Sequence, residues 1–165
     1  MISADDITNR RSRPLHDRLA ARRRIGKSDR GCTDEAVLKS TYRAEEVWSF
    51  FEKNGYSRDE LAHHFSNQAC WFAAYDAKQL QAACFVFRNY KDIWEIAGVY
   101  TKPEHRRKGH GKRIVTAVLS YLASQGLVLR YQAKSDNNCS IKLAEACGMK
   151  EFLVVDYFVL EPERD

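Results

Sequence analysis

YTKPEHRRKGHGKRIVTAV, residues 100–118, sets six Lys and Arg around two glycines and then turns apolar. Two readings compete for such a run. A basic arm for nucleic acid would be a solvated tract with no structural neighbours of fixed type. A phosphate cradle needs a strand before it, glycines at the turn, and an amphipathic helix after it. The flanking residues therefore decide the fold.

Upstream, DIWEIAGVYTK (92–102) reads as a strand, with Glu95, Ala97 and Val99 on one face and Ile96, Gly98 and Tyr100 on the other. Pro103 and Glu104 close it. Downstream, KRIVTAVLSYLASQG (112–126) is the clearest helix of the chain. Ile114, Val118, Tyr121 and Leu122 line one stripe, and Gly126 suits the position just past its end. The opening stretch thus lies between a strand and a helix, and the cradle is favoured.

The rest of the chain extends this pattern. RAEEVWSFFEKNG (43–55) spaces Val47, Phe50 and Phe51 as a helix does, with Gly55 to end it. Ser57, with Glu60 three residues later, makes a capping box for a second short helix. Residues 69–90 read as two strands in a hairpin around Asp76–Gln79, although the turn has no glycine. LVLRYQA (127–133) is a buried strand. SDNNCSIKLAEACGM (135–149) is a helix capped by Asp136 or Asn137, with Cys139, Leu143 and Cys147 toward the core and Gly148 as its stop. FLVVDYFVL (152–160) is β-rich. The helix between Tyr100 and Leu127 makes the strands flanking it parallel neighbours. A mixed α/β sheet follows.

Composition narrows the class. A chain of 165 residues, 44% hydrophobic and 30% charged, is about one soluble domain. No apolar run approaches the roughly 20 residues that span a bilayer, and no signal-peptide segment opens the chain, so a cytoplasmic protein without membrane contact is expected. The five cysteines include no CxxC pair, and His63 and His64 are adjacent rather than at ligand spacing. Reduced thiols and no metal are expected. Residues 1–31 carry nine Lys and Arg against four Asp and Glu, while the remainder carries 18 of each sign. All the net charge of +5 therefore sits in this segment, which reads as a basic, disordered tail ahead of a domain over 32–165. A solvated tail without a dedicated partner is favoured over one that touches nucleic acid.

Arg106, Arg107 and Lys108 precede Gly109 and Gly111 where the chain turns from strand to helix. Missing side chains let an anion approach the backbone, and the first N–H groups of the helix point at it. A phosphate or pyrophosphate is the expected ligand. The stretch is not a P-loop, since GxxxxGK[ST] is absent, nor a dinucleotide fingerprint, since Ile114 stands where the third glycine belongs.

R-x-x-G-x-G after a strand ending V-x-x-x-P, together with DNNCSIKLAEACGM (136–149), resembles the two linked motifs of the GNAT superfamily of acetyl-CoA-dependent N-acetyltransferases. The likeness runs from about Ala69 to Leu160. It implies a mixed, mostly antiparallel central sheet with a splayed parallel strand pair and flanking helices. It implies acetyl-CoA as acyl donor and an unidentified primary amine as acceptor. Carried over, Arg106, Arg107, Lys108, Gly109, His110, Gly111 and Lys112 would hold the pyrophosphate, chiefly through backbone N–H groups. Val99, Tyr100 and Thr101 would present the strand that pairs with the pantetheine amides, and Asn137 and Ser140 would line the pantetheine slot. Glu95, in what reads as an apolar setting, takes the place of the carboxylate that deprotonates the amine.

Two departures stand out. Ala144 replaces the tyrosine that protonates the leaving thiolate in the family's usual motif, which leaves Tyr157 or water as the expected donor. After Gly148 only 17 residues remain, too few for the usual two closing strands. One wall of the acceptor site is therefore expected to be open or supplied by a second subunit in a homodimer. The competing readings are a nucleic-acid-binding module using the tail and the cradle, which lacks aromatics interleaved with its cations, and a non-catalytic acyl-CoA-binding relative.

Overall fold

The computed structural model describes residues 14–20 and 37–158, with side chains from 37 to 155. In chain order the elements are β1 (Pro14–Ala20), β2 (Val37–Ser40), α1 (Glu45–Glu52), α2 (Arg58–Ser66), β3 (Cys70–Asp76), β4 (Gln79–Tyr90), β5 (Ile93–Thr101), a 3-10 turn (Pro103–His105), α3 (His110–Ser124), β6 (Val128–Lys134), α4 (Asn138–Ala146) and β7 (Glu151–Phe158). The strands form one seven-stranded sheet in the order β2-β3-β4-β5-β6-β1-β7. Among the described residues only β5 and β6 pair in parallel, and the other neighbouring pairs are antiparallel.

Helices cover both faces. Buried Val47, Trp48, Phe50 and Phe51 of α1 and Leu61 of α2 pack on Trp71, Leu80, Ala83 and Phe85. On the other face Ile114, Val115, Val118, Leu119 and Leu122 of α3, with Ala144 of α4, pack on Phe72, Cys84, Val86, Ile96, Leu129 and Tyr131. The predicted Val47, Phe50, Phe51, Ile114, Val118 and Leu122 are buried, Tyr121 is half-buried, and Trp48, Val115 and Leu119 widen the two stripes. The capping box at α2 is present: Glu60 N–H donates to Ser57 Oγ at 3.2 Å and Ser57 N–H donates to Glu60 Oε2 at 2.8 Å. The β3–β4 turn is two residues long, with Ala77 (φ 46°) and Lys78 (φ 64°) in the left-handed region that glycine usually fills.

Three expectations are corrected. First, the segment read as a tail contributes β1, which lies between β6 and β7 and pairs with both. The remaining expected tail residues lie outside the described ones. One of the two closing strands that the C-terminal residues could not supply thus comes from before the domain, and β7 is the other. Secondly, the face alternation of β5 breaks. Ala97 sits opposite Phe85 and Tyr100 opposite Ala83, so Gly98 and Val99 together face Cys84 in a β-bulge. The bulge turns Val99 to the α3 side with Ile96, while Ala97 and Tyr100 stay on the α1 side. Val99 therefore does not share the face of Glu95. Thirdly, Cys139 is exposed, and Ala144 and Cys147 carry the buried side of α4.

Candidate functional site

The parallel ladder between β5 and β6 runs only from Ile93 opposite Val128 to Ile96 opposite Tyr131. Past this point β6 pairs with β1 from Tyr131 to Lys134, and β5 continues to Thr101 with no strand partner on that side among the described residues. The two strands fork. A cleft of about 290 Å³ opens there, lined by Asn54, Tyr56, Glu95, Gly98, Val99, Tyr131, Asn137 and Ser140 among others.

At the far end of β5 the chain passes the 3-10 turn and reaches α3. Gly109 is the N-cap, in left-handed conformation (φ 86°), and no side chain caps the helix. The first N–H groups of α3 accordingly lack intrahelical partners and face outward. A Cβ built at Gly109 would meet nothing within 4 Å. At Gly111 it would lie 3.4 Å from Leu143 Cδ2 and 3.6 Å from Thr101 Oγ1. Space is thus open at Gly109, while Leu143 of α4 and Thr101 of β5 lie at contact distance from Gly111, and the uncapped start of α3 suits a phosphate on backbone N–H groups.

The candidate cradle residues divide by what their side chains do. Arg107, Lys108 and Lys112 are exposed, and Arg107 has a left-handed backbone (φ 59°). Arg106 Nε donates to the Thr101 carbonyl at 3.2 Å, which ties the loop to the end of β5. His110 is turned inward and only 7% exposed, its Nδ1 without a partner. Burial, and then Arg113 and His105, push its pKa below the ordinary histidine value, so the ring is neutral and offers the site its backbone N–H rather than a charge. Tyr100 packs edge-on against Phe50 at 4.9 Å on the α1 face and presents only its backbone. Val99 and Thr101 lie on the unpartnered stretch of β5. Asn137 caps α4, its Oδ1 accepting from Ser140 N–H at 3.1 Å.

Glu95 does not sit in the apolar setting its sequence neighbours suggested. Its Oε2 accepts from Arg130 Nε at 2.8 Å, from Arg130 Nη2 and from Asn89 Nδ2 at 3.0 Å. Its side chain is 13% exposed, so this is a largely sheltered ion pair. Glu95, Arg130 and Phe87 occupy matching register positions on three adjacent strands, which brings residues 35 apart in sequence together. All three bonds end on Oε2, and no bond among the described residues ends on Oε1.

Sequence reasoning missed Arg130, Asn89, Tyr56 and Tyr131. Arg130 had a visible signal, as the lone charge of LVLRYQA (127–133). Tyr56 accepts from the Gly98 N–H at 3.2 Å and so braces the bulge. Burial is the largest cause that raises its pKa. Tyr157 belongs to β7 by its backbone, opposite Leu15; its side chain lies outside the described ones.

Gly111→Val should weaken acetyl-CoA binding by roughly 10–100-fold, about 1.4–2.7 kcal/mol, while leaving the circular dichroism of the helices unchanged. A single Cβ reaches Leu143 and Thr101 at ordinary contact distance, so the added γ carbons must enter the mouth itself. Calorimetric titration measures this, and an unchanged Kd would reduce Gly111 to a turn residue.

Comparison with known proteins places this geometry. The model of the acetyltransferase (GNAT) family matches residues 35–149. An N-acetyltransferase 9-like protein of Schizosaccharomyces pombe is 34% identical over 73 residues, which is 40% of this chain and 34% of the relative. Among solved structures, a GNAT-family acetyltransferase from Novosphingobium aromaticivorans superposes with a TM-score of 0.70 at 16% identity, over 92% of this chain and 66% of that one. One from Colwellia psychrerythraea gives 0.68 at 13% identity, over 93% and 59%. A Bacillus subtilis acetyltransferase in complex with CoA gives 0.61 at 15% identity, over 68% and 74%. At these identities the superpositions show the shared fold. The chain spans about a third of the curated relative and about two thirds or less of the first two structures.

Proposed function

Since the chain belongs to the acetyltransferase (GNAT) family, we propose that it moves an acetyl group from acetyl-CoA to a primary amine by direct attack. The observation that carries this reading is the fork. An uncapped helix start lies at one end of an unpartnered strand edge, and a carboxylate lies at the other. Those three features match the three parts of the donor and its reaction: a pyrophosphate, an amide-bearing arm and a thioester met by an amine.

On this reading Arg106 to Lys112 hold the pyrophosphate, with charge from Arg107, Lys108 and Lys112 and hydrogen bonds from the start of α3. Val99 and Thr101 pair with the amides of the arm as an added strand would. Asn137 and Ser140 line its other side. Glu95 takes a proton from the acceptor through Oε1, directly or through water, while Arg130 and Asn89 fix the carboxylate by its other oxygen. The freed amine attacks the carbonyl, and strand N–H groups stabilise the oxyanion. Residues 32–165, completed by β1, form the catalytic domain. Among the described residues no helix is long and apolar enough to cross a membrane, and no three His, Cys, Asp or Glu side chains could hold a metal ion.

Incubating the protein with labelled acetyl-CoA and a cell extract tests the proposal and identifies the acceptor. Label should appear on a nitrogen of one class of molecule, in proportion to enzyme. Label that stays on coenzyme A, or returns as free acetate, would contradict it.

A further inference from the structure

Breaking the thioester sends an electron pair to sulfur, and the thiolate so formed needs a proton. The fork contains one side chain placed to give it. Tyr131 is the last residue of β6 paired with β5, directly at the point of divergence. It is 3% exposed and packs in the α3–α4 layer, the face on which both the uncapped start of α3 and the Asn137 cap of α4 lie. A donor molecule running from that cradle to the fork passes along this face. Ala144 in the same layer is small and fully packed, so α4 offers the fork no phenol of its own.

The other phenol of the cleft, Tyr56, is differently engaged. It belongs to the α1–α2 layer, and its oxygen accepts from the Gly98 N–H. Resting on the acetyl-transfer reading above, we propose that Tyr131 is the proton donor to the departing thiolate. As the carbon–sulfur bond breaks, its electron pair stays on sulfur and the Tyr131 Oη–H proton passes to that sulfur, giving free thiol and a phenolate. Attack leaves the nitrogen with a further proton to shed, and that proton returns to the phenolate through water in the cleft that Tyr131, Ser140 and Glu95 all line. An acceptor that enters as an ammonium thus releases one proton, the one Glu95 took, to solvent per turnover. Burial pushes the phenol up to about 12, which keeps the proton on Tyr131 at every ordinary working pH.

Tyr131→Phe removes one oxygen and keeps the ring, so the packing of β6 survives. The experiment uses the full chain, acetyl-CoA and a tryptic peptide pool, which offers both α-amines and lysine amines, and follows free thiol. Wild type should release thiol in step with peptide acetylation. Tyr131→Phe should release it roughly 10²-fold or more slowly, with the Kd for coenzyme A changed less than about twofold. Release by the variant within about threefold of wild type would overturn the donor assignment while leaving acetyl transfer standing. A loss matched by weaker coenzyme A binding would also overturn it, as would a loss seen only in Tyr56→Phe or Tyr157→Phe. Wild type that releases no thiol would overturn the acetyl-transfer reading, and this assignment with it.

Discussion

Glu95→Gln should lower kcat/KM by roughly 10²–10⁴-fold and leave acetyl-CoA affinity nearly unchanged. Amines are mostly protonated near neutral pH and cannot attack until a proton leaves. Glutamine keeps the shape and an acceptor oxygen for Arg130, but it cannot take that proton. The cradle lies at the opposite end of β5, so binding of the donor does not depend on the exchange. The ion pair makes the test stringent, because one oxygen of Glu95 already serves Arg130 and Asn89. Steady-state kinetics together with a calorimetric Kd decide the matter. Activity within about threefold of wild type would mean that Glu95 only holds Arg130 in place.

Gly98→Val should be the most damaging single change to the fold, lowering stability by about 2–5 kcal/mol and the melting temperature by roughly 10 °C. Gly98 has φ +60°, and a Cβ there would lie 2.9 Å from Phe85 Cε1 and 3.2 Å from Phe51 Cδ1. Both rings are fully buried, so neither can swing away into solvent. The backbone would have to abandon the bulge, and with it the bond between the Gly98 N–H and Tyr56. Denaturant unfolding measures the loss. A variant with wild-type stability would show that the bulge is not held by this contact.

The parts of the fold that were legible in the sequence are those fixed by local chemistry. Apolar spacing marked α1 and α3, the Ser57–Glu60 pair marked α2, and the strand–glycine–helix order marked the parallel pair at the cradle. What escaped depends on contacts between distant residues. β1 lacks strict apolar alternation and sits in a basic context, and only pairing with β6 and β7 makes it a strand. The bulge at Gly98 is one residue inserted against β4, which period-two reading cannot register, and it moved Val99 to the other face. The apolar neighbours of Glu95 concealed its partner because strand neighbours in sequence point to opposite faces, while Arg130 arrives from the next strand. Of the candidate site, the cradle and the Asn137 cap were visible as motifs. The phenols at the fork were not, because nothing local distinguishes Tyr56 or Tyr131 from ordinary core tyrosines.

The most direct test of the central claim, that the forked strands and the uncapped start of α3 form one site for acetyl-CoA, is a calorimetric titration of the full chain with acetyl-CoA. Saturable heat with one molecule bound per chain is expected, displaced by coenzyme A and weakened by Gly111→Val. Absence of heat from a folded protein, or binding that Gly111→Val leaves untouched, would contradict it.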